Sequence, residues 1–190
     1  QKAKAAGFWG IGTPEEYGGV DLGPVMRSII AMETGRSFVP FKLGGTADNI
    51  LYGANEEQKQ KYLIPTINGE RHSCFAITEP GAGSDARNIK TRAVRDGDDF
   101  VVNGAKTFIS NGTHCDLVVI VAKTDPAAGG KGISLLVAEV DNNVAGFSRG
   151  AVLEKIGMHG WDTRELFFDD MRVPVENILG EEGSGFAIAQ

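Results

Sequence analysis

The chain has 190 residues, a formal net charge of −6 and 42% hydrophobic residues. This composition excludes a disordered chain, and the length suffices for one ordinary domain or two small ones with a buried core. No Lys/Arg run is longer than two residues and no apolar run approaches the ~20 residues that span a bilayer, so the sequence predicts neither nucleic-acid binding nor a membrane span.

The cysteines and histidines are few and scattered: Cys74, Cys115, His72, His114 and His159. Their spacing matches neither a disulfide framework nor a metal-ligand motif. We therefore expect reduced thiols and no metal site. Because the chain begins with Gln rather than Met and ends in an apolar run typical of a first helical turn, we also expect it to be a piece of a longer protein.

The first third of the chain has apolar residues at helical spacing. A short turn is predicted at 13–19, where a Thr-Pro-Glu-Glu sequence runs into two glycines. Pro24 suits a first helical position and Gly35 a stop, and residues 25, 29 and 32 form an apolar stripe between them. A second helix is predicted from Leu43 to about Gly53, weakened by the glycines at 44 and 45.

A third helix has clearer boundary signals. Asn55 suits the N-cap, Gln58 suits the partner in a capping box, and two glutamates between them complement the helix dipole. We expect Pro65 to limit this helix and Asn68-Gly69 to close it. All three helices are short, so we expect them to bury their apolar faces against another surface.

After His72 the pattern changes to short segments rich in β-branched and aromatic residues, which predict strands at 74–78, 90–94, 100–102, 107–110, 117–123, 133–140 and 164–168. Asp96-Gly97-Asp98 predicts a hairpin, Asn103-Gly104 a turn, and Asn111-Gly112 a strand end. No stretch of ten or more helical residues separates these strands. Parallel crossovers are therefore disfavoured, and the pattern predicts an antiparallel barrel or sandwich.

Segment 75–85, FAITEPGAGSD, runs from a strand through a proline bend into two glycines. Bare backbone N–H groups in such a loop can approach a ligand closely, although a tight strand connection also explains the pattern. Gly81, Gly83 and Ala86 also fit a dinucleotide-binding fingerprint. We reject that match because residues 87–94 return to a strand pattern, whereas the fingerprint requires a helix to begin at the glycines.

Four stretches carry a resemblance to a known family: PEEYGG at 14–19, AITEPGAGSD at 76–85, NGAKTFISNG at 103–112, and the segment from KIGM to RVP at 155–174. In these motifs and their order the chain resembles the acyl-CoA dehydrogenases. The resemblance covers nearly the whole chain. It assigns no role to Asp162 and Thr163, which lie inside the fourth stretch.

The resemblance implies an α+β fold, in which a helical N-terminal domain precedes an antiparallel β-barrel middle domain. We expect the N-terminal domain at 1–72, incomplete at its start, the middle domain at 73–181, and the start of a C-terminal helical domain at 182–190. The resemblance also implies a homodimer or homotetramer, located in a bacterial cytoplasm or a mitochondrial matrix.

The cofactor implied by the resemblance is FAD, with an acyl-CoA thioester against the flavin. Ile77 and Thr78 would contact the pyrimidine end of the ring, Phe108 would lie against the ring, and the Ser110 hydroxyl would lie near the nitrogen that accepts hydride. Ser84 would also face the pantetheine arm of the substrate. The full set of expected cofactor-binding residues is Phe75, Ala76, Ile77, Thr78, Gly83, Ser84, Phe108, Ile109 and Ser110.

Simpler interpretations of these residues remain open. Phe75 and Ile77 alternate with Ala76 as the two faces of a core strand do. The hydroxyls of Thr78 and Ser84 could bond their own backbone. Glu79 and Asp85 are interpreted as solvated turn acids and not as catalytic groups, because the family's catalytic base is not in this motif.

The implied reaction is oxidation of an acyl-CoA to the trans-2-enoyl-CoA, with electrons passed from reduced FAD to an electron-transferring flavoprotein. The family's catalytic glutamate would fall after Gln190, so no catalytic residue is expected in this chain, and residues 1–190 alone are expected to be inactive. Alternatives are an acyl-CoA oxidase or flavin monooxygenase of the same fold, and a non-catalytic acyl-CoA-binding relative.

Overall fold

The computed structural model describes residues 2–37 and 43–189; the two terminal glutamines lie outside the described residues. These two ranges contain five short α-helices: α1 (Lys2–Ala5), α2 (Pro24–Thr34), α3 (Glu56–Gln58), α4 (Ile64–Asn68) and α5 (Gly185–Ile188). None of the helices in these ranges has the length and apolar character needed to cross a membrane. The predicted turn at 13–19 is confirmed as a 3₁₀ turn, Glu15–Tyr17, closed by Gly18 in the left-handed region.

Helix α2 has the predicted boundaries, with Pro24 in its first turn and Gly35 as its C-cap. Its apolar stripe, however, does not pack on the described residues: Val25 is 71% exposed and Met32 is 72% exposed. The expected helix from Leu43 to Gly53 is wrong. Gly44 and Gly45 have φ values of 87° and 75°, which lie outside the right-handed helical region, and only the 3₁₀ turn Asn49–Gly53 remains.

The third helix starts with the predicted capping box between Asn55 and Gln58. It continues through the π-helical turn Lys59–Leu63 into α4, so Pro65 does not limit it. The wider turn lies just before the proline, whose missing N–H and bulky ring disturb a regular α-helix. The helix closes as predicted at Gly69, with φ at 78°.

In the part of the chain that the structure describes, seven strands form one curled sheet: β1 (Ser73–Ala76), β2 (Arg92–Asp96), β3 (Asp99–Ser110), β4 (Leu117–Lys123), β5 (Ile133–Glu139), β6 (Phe147–Val152) and β7 (Thr163–Pro174). The strand order is β1-β4-β2-β3-β7-β6, and β5 pairs with β4. The fold class is confirmed, because short helices precede a curled β-sheet.

The sheet is mixed and not wholly antiparallel, so that part of the expectation is corrected. Strand β1 pairs in parallel with β4, with Ser73 opposite Leu117 and Ala76 opposite Ile120. A parallel pair needs a long connection between its strands. Here the hairpin of β2 and β3 supplies that connection in place of a long helix.

Strand β3 is a single long strand, so the turn predicted at Asn103-Gly104 is wrong. The pairing of β3 with β7 shifts register at this point, and a Cβ on Gly104 would lie only 2.4 Å from Thr91 Oγ1. Glycine is therefore required by a close approach inside the sheet and not by a turn. The hairpin at Asp96-Gly97-Asp98 and the strand end before Asn111 are confirmed. Strand β6 was not predicted.

Strand β4 is buried on both faces. Val118, Ile120 and Ala122 lie in the core inside the curled sheet. Leu117 and Val119 lie in a second core, together with Tyr62, Leu63 and Ile67 of the third helix and its π turn. The expectation that this helix needs another surface is confirmed, and the two cores lie on opposite faces of β4.

Candidate functional site

The first segment of the candidate site begins where β1 ends. Ala76 is fully buried in the core inside the sheet, whereas Phe75 and Ile77 are half-buried and pack against the second core. Beyond them, Glu79 and Ala82 exchange two backbone hydrogen bonds of 3.1 Å across a turn. The loop 80–85 that follows is exposed apart from Ala82, and it includes Gly83 and Ser84.

The two glycines of this loop leave its surface open. Neither Gly81 nor Gly83 has a positive φ, and a Cβ on either would meet no atom within 4 Å. Only the 3₁₀ turn Ala86–Asn88 follows them. The rejection of the dinucleotide-binding fingerprint is confirmed, because no α-helix begins at these glycines to hold a pyrophosphate.

The second segment lies at the end of β3 and contacts the first. The amide N–H of Thr107 donates to the carbonyl oxygen of Thr78 over 2.9 Å. Phe108 is 66% exposed and has a φ of 59°, a left-handed conformation that is unusual for an aromatic residue. The side chain of Ile109 is buried in the core, so only its backbone faces this segment, whereas Ser110 is exposed.

A buried ion pair lies beneath the two segments. Lys106 Nζ is 2.9 Å from Glu79 Oε1, and the side chains are 0% and 6% exposed. The expectation that Glu79 is a solvated turn acid is therefore wrong, while Asp85 is exposed as expected.

Burial acts oppositely on the two members of this pair. It lowers the pKa of Lys106 to about 8, although the charge and hydrogen bond of Glu79 oppose that shift. It raises the pKa of the Glu79 carboxyl, but hydrogen bonds from Thr91, Lys90 and Lys106 together with the Lys106 charge outweigh it and hold that pKa below its usual range. Both groups are therefore charged at neutral pH.

Three hydroxyls in the two segments have no hydrogen-bond partner among residues 2–37 and 43–189: those of Thr78, Ser84 and Ser110. The simpler interpretation of Thr78 and Ser84, in which each hydroxyl bonds its own backbone, is thus not what the structure shows. The hydroxyls are available to a ligand. Together with the exposed ring of Phe108 they form a polar surface beside an aromatic plane.

Asp162 and Thr163 now have a structural role. Asp162 Oδ2 accepts from the amide N–H of Thr113 over 2.7 Å, and Thr163 lies opposite Ser110 in the pairing of β3 with β7. These contacts hold the chain just after the second segment. The motif therefore fixes where β3 ends and is not itself part of the polar surface.

A cavity of about 620 Å³ lies beside the two segments. It is lined by residues at the start of β1 and just after β3, including Ser73, Asn111 and His114, and by Trp9 and Trp161. None of the nine expected cofactor-binding residues lines it. The two segments form an open surface.

Two family models match the chain and together cover most of it. The acyl-CoA dehydrogenase N-terminal domain matches residues 1–70, and the acyl-CoA dehydrogenase middle domain matches residues 74–171. The chain belongs to the acyl-CoA dehydrogenase family. The two segments of the candidate site lie within the middle-domain match, which confirms the resemblance drawn from the sequence motifs.

Individual relatives in the acyl-CoA dehydrogenase family agree with this assignment. The chain is 43% identical to the short-chain specific acyl-CoA dehydrogenase of Clostridium acetobutylicum, over 96% of this chain and 49% of that relative. It is 43% identical to a crystal structure of an acyl-CoA dehydrogenase from Geobacillus kaustophilus, with a TM-score of 0.83, covering 99% of this chain and 51% of that one.

A further solved structure concerns the electron transferring flavoprotein of Acidaminococcus fermentans and flavin-based electron bifurcation. Its matching chain has a TM-score of 0.81 and 42% identity, covering 99% of this chain and 50% of that one. The chain described here thus spans about half the length of the relatives it matches.

Sequence reasoning missed the residues that hold the two segments together, namely Lys106, Glu79, Thr91 and Thr107. One signal could have found the ion pair: Lys106 lies in a strand between the apolar residues Val102 and Ile109, where a charged side chain needs a partner. The partner could not have been found, because Glu79 approaches only through the pairing of distant strands.

Proposed function

We propose that the full-length protein catalyses the FAD-dependent α,β-dehydrogenation of an acyl-CoA thioester to the trans-2-enoyl-CoA, a step of fatty-acid or amino-acid breakdown. Family membership supports the class of enzyme. The observation that carries the proposal is the pairing of the two segments through Thr107 and Thr78, which gathers the unpaired hydroxyls and Phe108 on one surface.

The residues present fit a flavin. Phe108 offers an exposed aromatic plane held by an unusual backbone conformation, Thr78 and Ser110 offer free hydroxyls, and the loop containing Gly81 and Gly83 leaves its backbone open. A flat heteroaromatic ring needs such a stacking surface and polar groups at its edge. Bound FAD would supply the acceptor for the hydride that leaves the β carbon.

The chain's own residues would bind and orient the reactants. Thr78 would donate a hydrogen bond from its hydroxyl to the pyrimidine edge, where negative charge collects on reduction, and the Ser110 hydroxyl would lie near the ring nitrogen that accepts hydride. Ser84, exposed on the glycine loop, would contact the pantetheine arm. Donors fixed before the reaction stabilise developing charge better than mobile water does.

The catalytic base is proposed to be a glutamate contributed by a part of the protein after residue 190. A carboxylate in a dry site has a pKa raised towards neutrality, which suits it to remove the α proton. Electrons are proposed to pass to an electron-transferring flavoprotein, a partner class suggested by the structural neighbour from Acidaminococcus fermentans. The active form is proposed to be a homodimer or homotetramer.

The test is a spectroscopic and product assay of the full-length protein. The purified protein should show a bound flavin spectrum that bleaches when acyl-CoA is added without oxygen, and mass spectrometry should detect the product two hydrogens lighter. Rapid oxidation of the bleached flavin by air would instead support an oxidase. Absence of a bound flavin would contradict the proposal.

A further inference from the structure

Lys106 uses all three hydrogens of its ammonium group inside the protein. Its Nζ donates to the carbonyl oxygen of Ile77 over 3.0 Å, to Glu79 Oε1 over 2.9 Å and to the carbonyl oxygen of Val121 over 2.7 Å. The side chain is completely buried. One lysine of β3 therefore ties together the first segment of the candidate site and the strand β4 behind it.

Glu79 is equally well satisfied. Its Oε1 accepts from the amide N–H and the hydroxyl of Thr91, and its Oε2 accepts from the amide N–H of Lys90 over 2.6 Å. Burying such a pair gains little stability, since the loss of hydration offsets the attraction between the charges. An interaction that gains little stability and fixes geometry closely is suited to a positioning role.

The geometry fixed by Lys106 is that of one peptide group. The Ile77–Thr78 peptide is trans, as are all those described, so its C=O and N–H point in opposite directions. Lys106 holds the carbonyl oxygen towards the protein interior, which directs the Thr78 N–H outward. That N–H has no partner among the described residues, and the next carbonyl along the chain, that of Thr78, is held by Thr107.

We propose that the Lys106–Glu79 pair positions the Thr78 amide and hydroxyl for the pyrimidine edge of the bound flavin. This inference rests on the proposed function, because it assumes that FAD occupies the surface of the two segments. Lys106 does not touch the cofactor and acts through the Ile77 carbonyl. The pair thereby strengthens binding of reduced FAD, whose negative charge the outward N–H stabilises, more than binding of oxidised FAD.

The test uses the double variant Lys106→Met/Glu79→Gln in the full-length protein. It removes both charges together, so the net charge is unchanged and no unpaired charge is left in the core. We expect oxidised FAD to bind about tenfold more weakly and reduced FAD about a hundredfold more weakly. The tenfold difference between them corresponds to a midpoint potential lower by about 30 mV for a two-electron couple.

The control is the pair Arg172→Met/Asp99→Asn, which also removes an ion pair made by a residue of β3, but at the other end of β3 and partly exposed; it also removes the contact of Arg172 with Asp96. It should leave FAD affinity and potential unchanged. Unchanged affinity and potential in the Lys106→Met/Glu79→Gln variant, or equal changes in the control, would overturn the inference. If the double variant does not fold, the single variant Glu79→Gln is used instead. We expect it to bind FAD at least threefold more weakly than wild type, and unchanged FAD binding would contradict the inference.

Failure of this inference is distinguishable from failure of the proposed function. If the wild-type protein binds no FAD, the proposed function fails and takes the inference with it. If the wild-type protein binds FAD and the double variant binds it equally well at the same potential, only the inference fails. Titration of the apoprotein with FAD and dye-equilibrium measurement of the potential separate these results.

Discussion

Thr107 on β3 and Thr78, just beyond the end of β1, are joined by a 2.9 Å hydrogen bond from amide to carbonyl. The bond places Phe108, the next residue along β3, beside the loop that follows β1. Lys106, which precedes Thr107 on β3, also donates to the Ile77 carbonyl oxygen and to Glu79, so a second set of contacts joins the two segments. A substitution that moves one segment is therefore expected to displace the other.

Replacing Thr78 with Val tests the free hydroxyl. Val has the same branched shape, and the backbone bond to Thr107 does not involve the side chain, so the melting temperature should not fall. The loss of one hydrogen bond should weaken FAD binding by about twofold to tenfold in the full-length protein and lower its potential. Thr113→Val is the control, because that hydroxyl is buried without a partner and lies outside the two segments; a result identical to the control would contradict the role of Thr78.

We expect the left-handed backbone conformation of Phe108 to serve the binding of FAD, because it exposes the aromatic ring. A left-handed residue other than Gly costs about 1–2 kcal/mol, and this side chain is too exposed to recover that by burial. Phe108→Gly should therefore not lower the melting temperature of the apoprotein, yet should weaken FAD binding roughly tenfold through lost stacking. Phe108→Trp keeps an aromatic plane and should bind FAD normally. Wild-type affinity in Phe108→Gly would show that no ring stacks there.

The sequence predicted these segments through local signals and missed what depends on distant partners. The capping box at Asn55 and the hairpin at Gly97 were predictable because each needs only neighbouring residues. The dipeptide Asn103-Gly104 has the sequence of a turn. The actual reason for the glycine, the close approach of Thr91, arises only when β2 and β3 pair. The parallel pairing of β1 with β4 was likewise not predictable from the absence of a long helix, because the connection between these two strands consists of the β2–β3 hairpin.

Gly83 tests whether the loop surface must stay open to a ligand. A methyl group at this position meets no protein atom within 4 Å and no backbone strain, so Gly83→Ala should leave the melting temperature unchanged. If FAD or the pantetheine arm lies against the backbone here, the same methyl group should weaken binding of one of them by about tenfold or more. Gly157→Ala, equally unobstructed but outside the two segments, should change neither. Equal affinities for Gly83→Ala and wild type would show that no ligand approaches this position.

Gly104 tests the packing that supports Glu79. An added Cβ would lie 2.4 Å from Thr91 Oγ1 and 2.8 Å from its Cα, so either the strands separate or Thr91 leaves Glu79. Overpacking of this kind costs about 1–3 kcal/mol, and Gly104→Ala should therefore melt several degrees below wild type. Gly81→Ala, in an open loop, should have the same melting temperature as the wild type. A normal melting temperature for Gly104→Ala would mean that β2 can shift without loss.

The buried Lys106 is expected to make stability depend on pH in a defined interval. Burial, opposed by Glu79, lowers its pKa in the folded protein from 10.5 to about 8. Below pH 8 both the folded and the unfolded chain carry this proton, so the group adds no pH dependence. Between pH 8 and 10.5 only the unfolded chain binds it, so the free energy of unfolding should rise with pH by up to about 1.4 kcal/mol per unit from this group.

Lys106→Met isolates this contribution, because other groups that titrate at alkaline pH are shared by both proteins. The variant should be less stable throughout, since Glu79 loses its partner, and the gap in melting temperature from wild type should widen as pH rises through the interval. Thermal melts of both proteins at half-unit steps of pH measure that gap. A constant or narrowing gap would show that Lys106 keeps its proton well above pH 8 and that Glu79 holds the charge more strongly than burial opposes it.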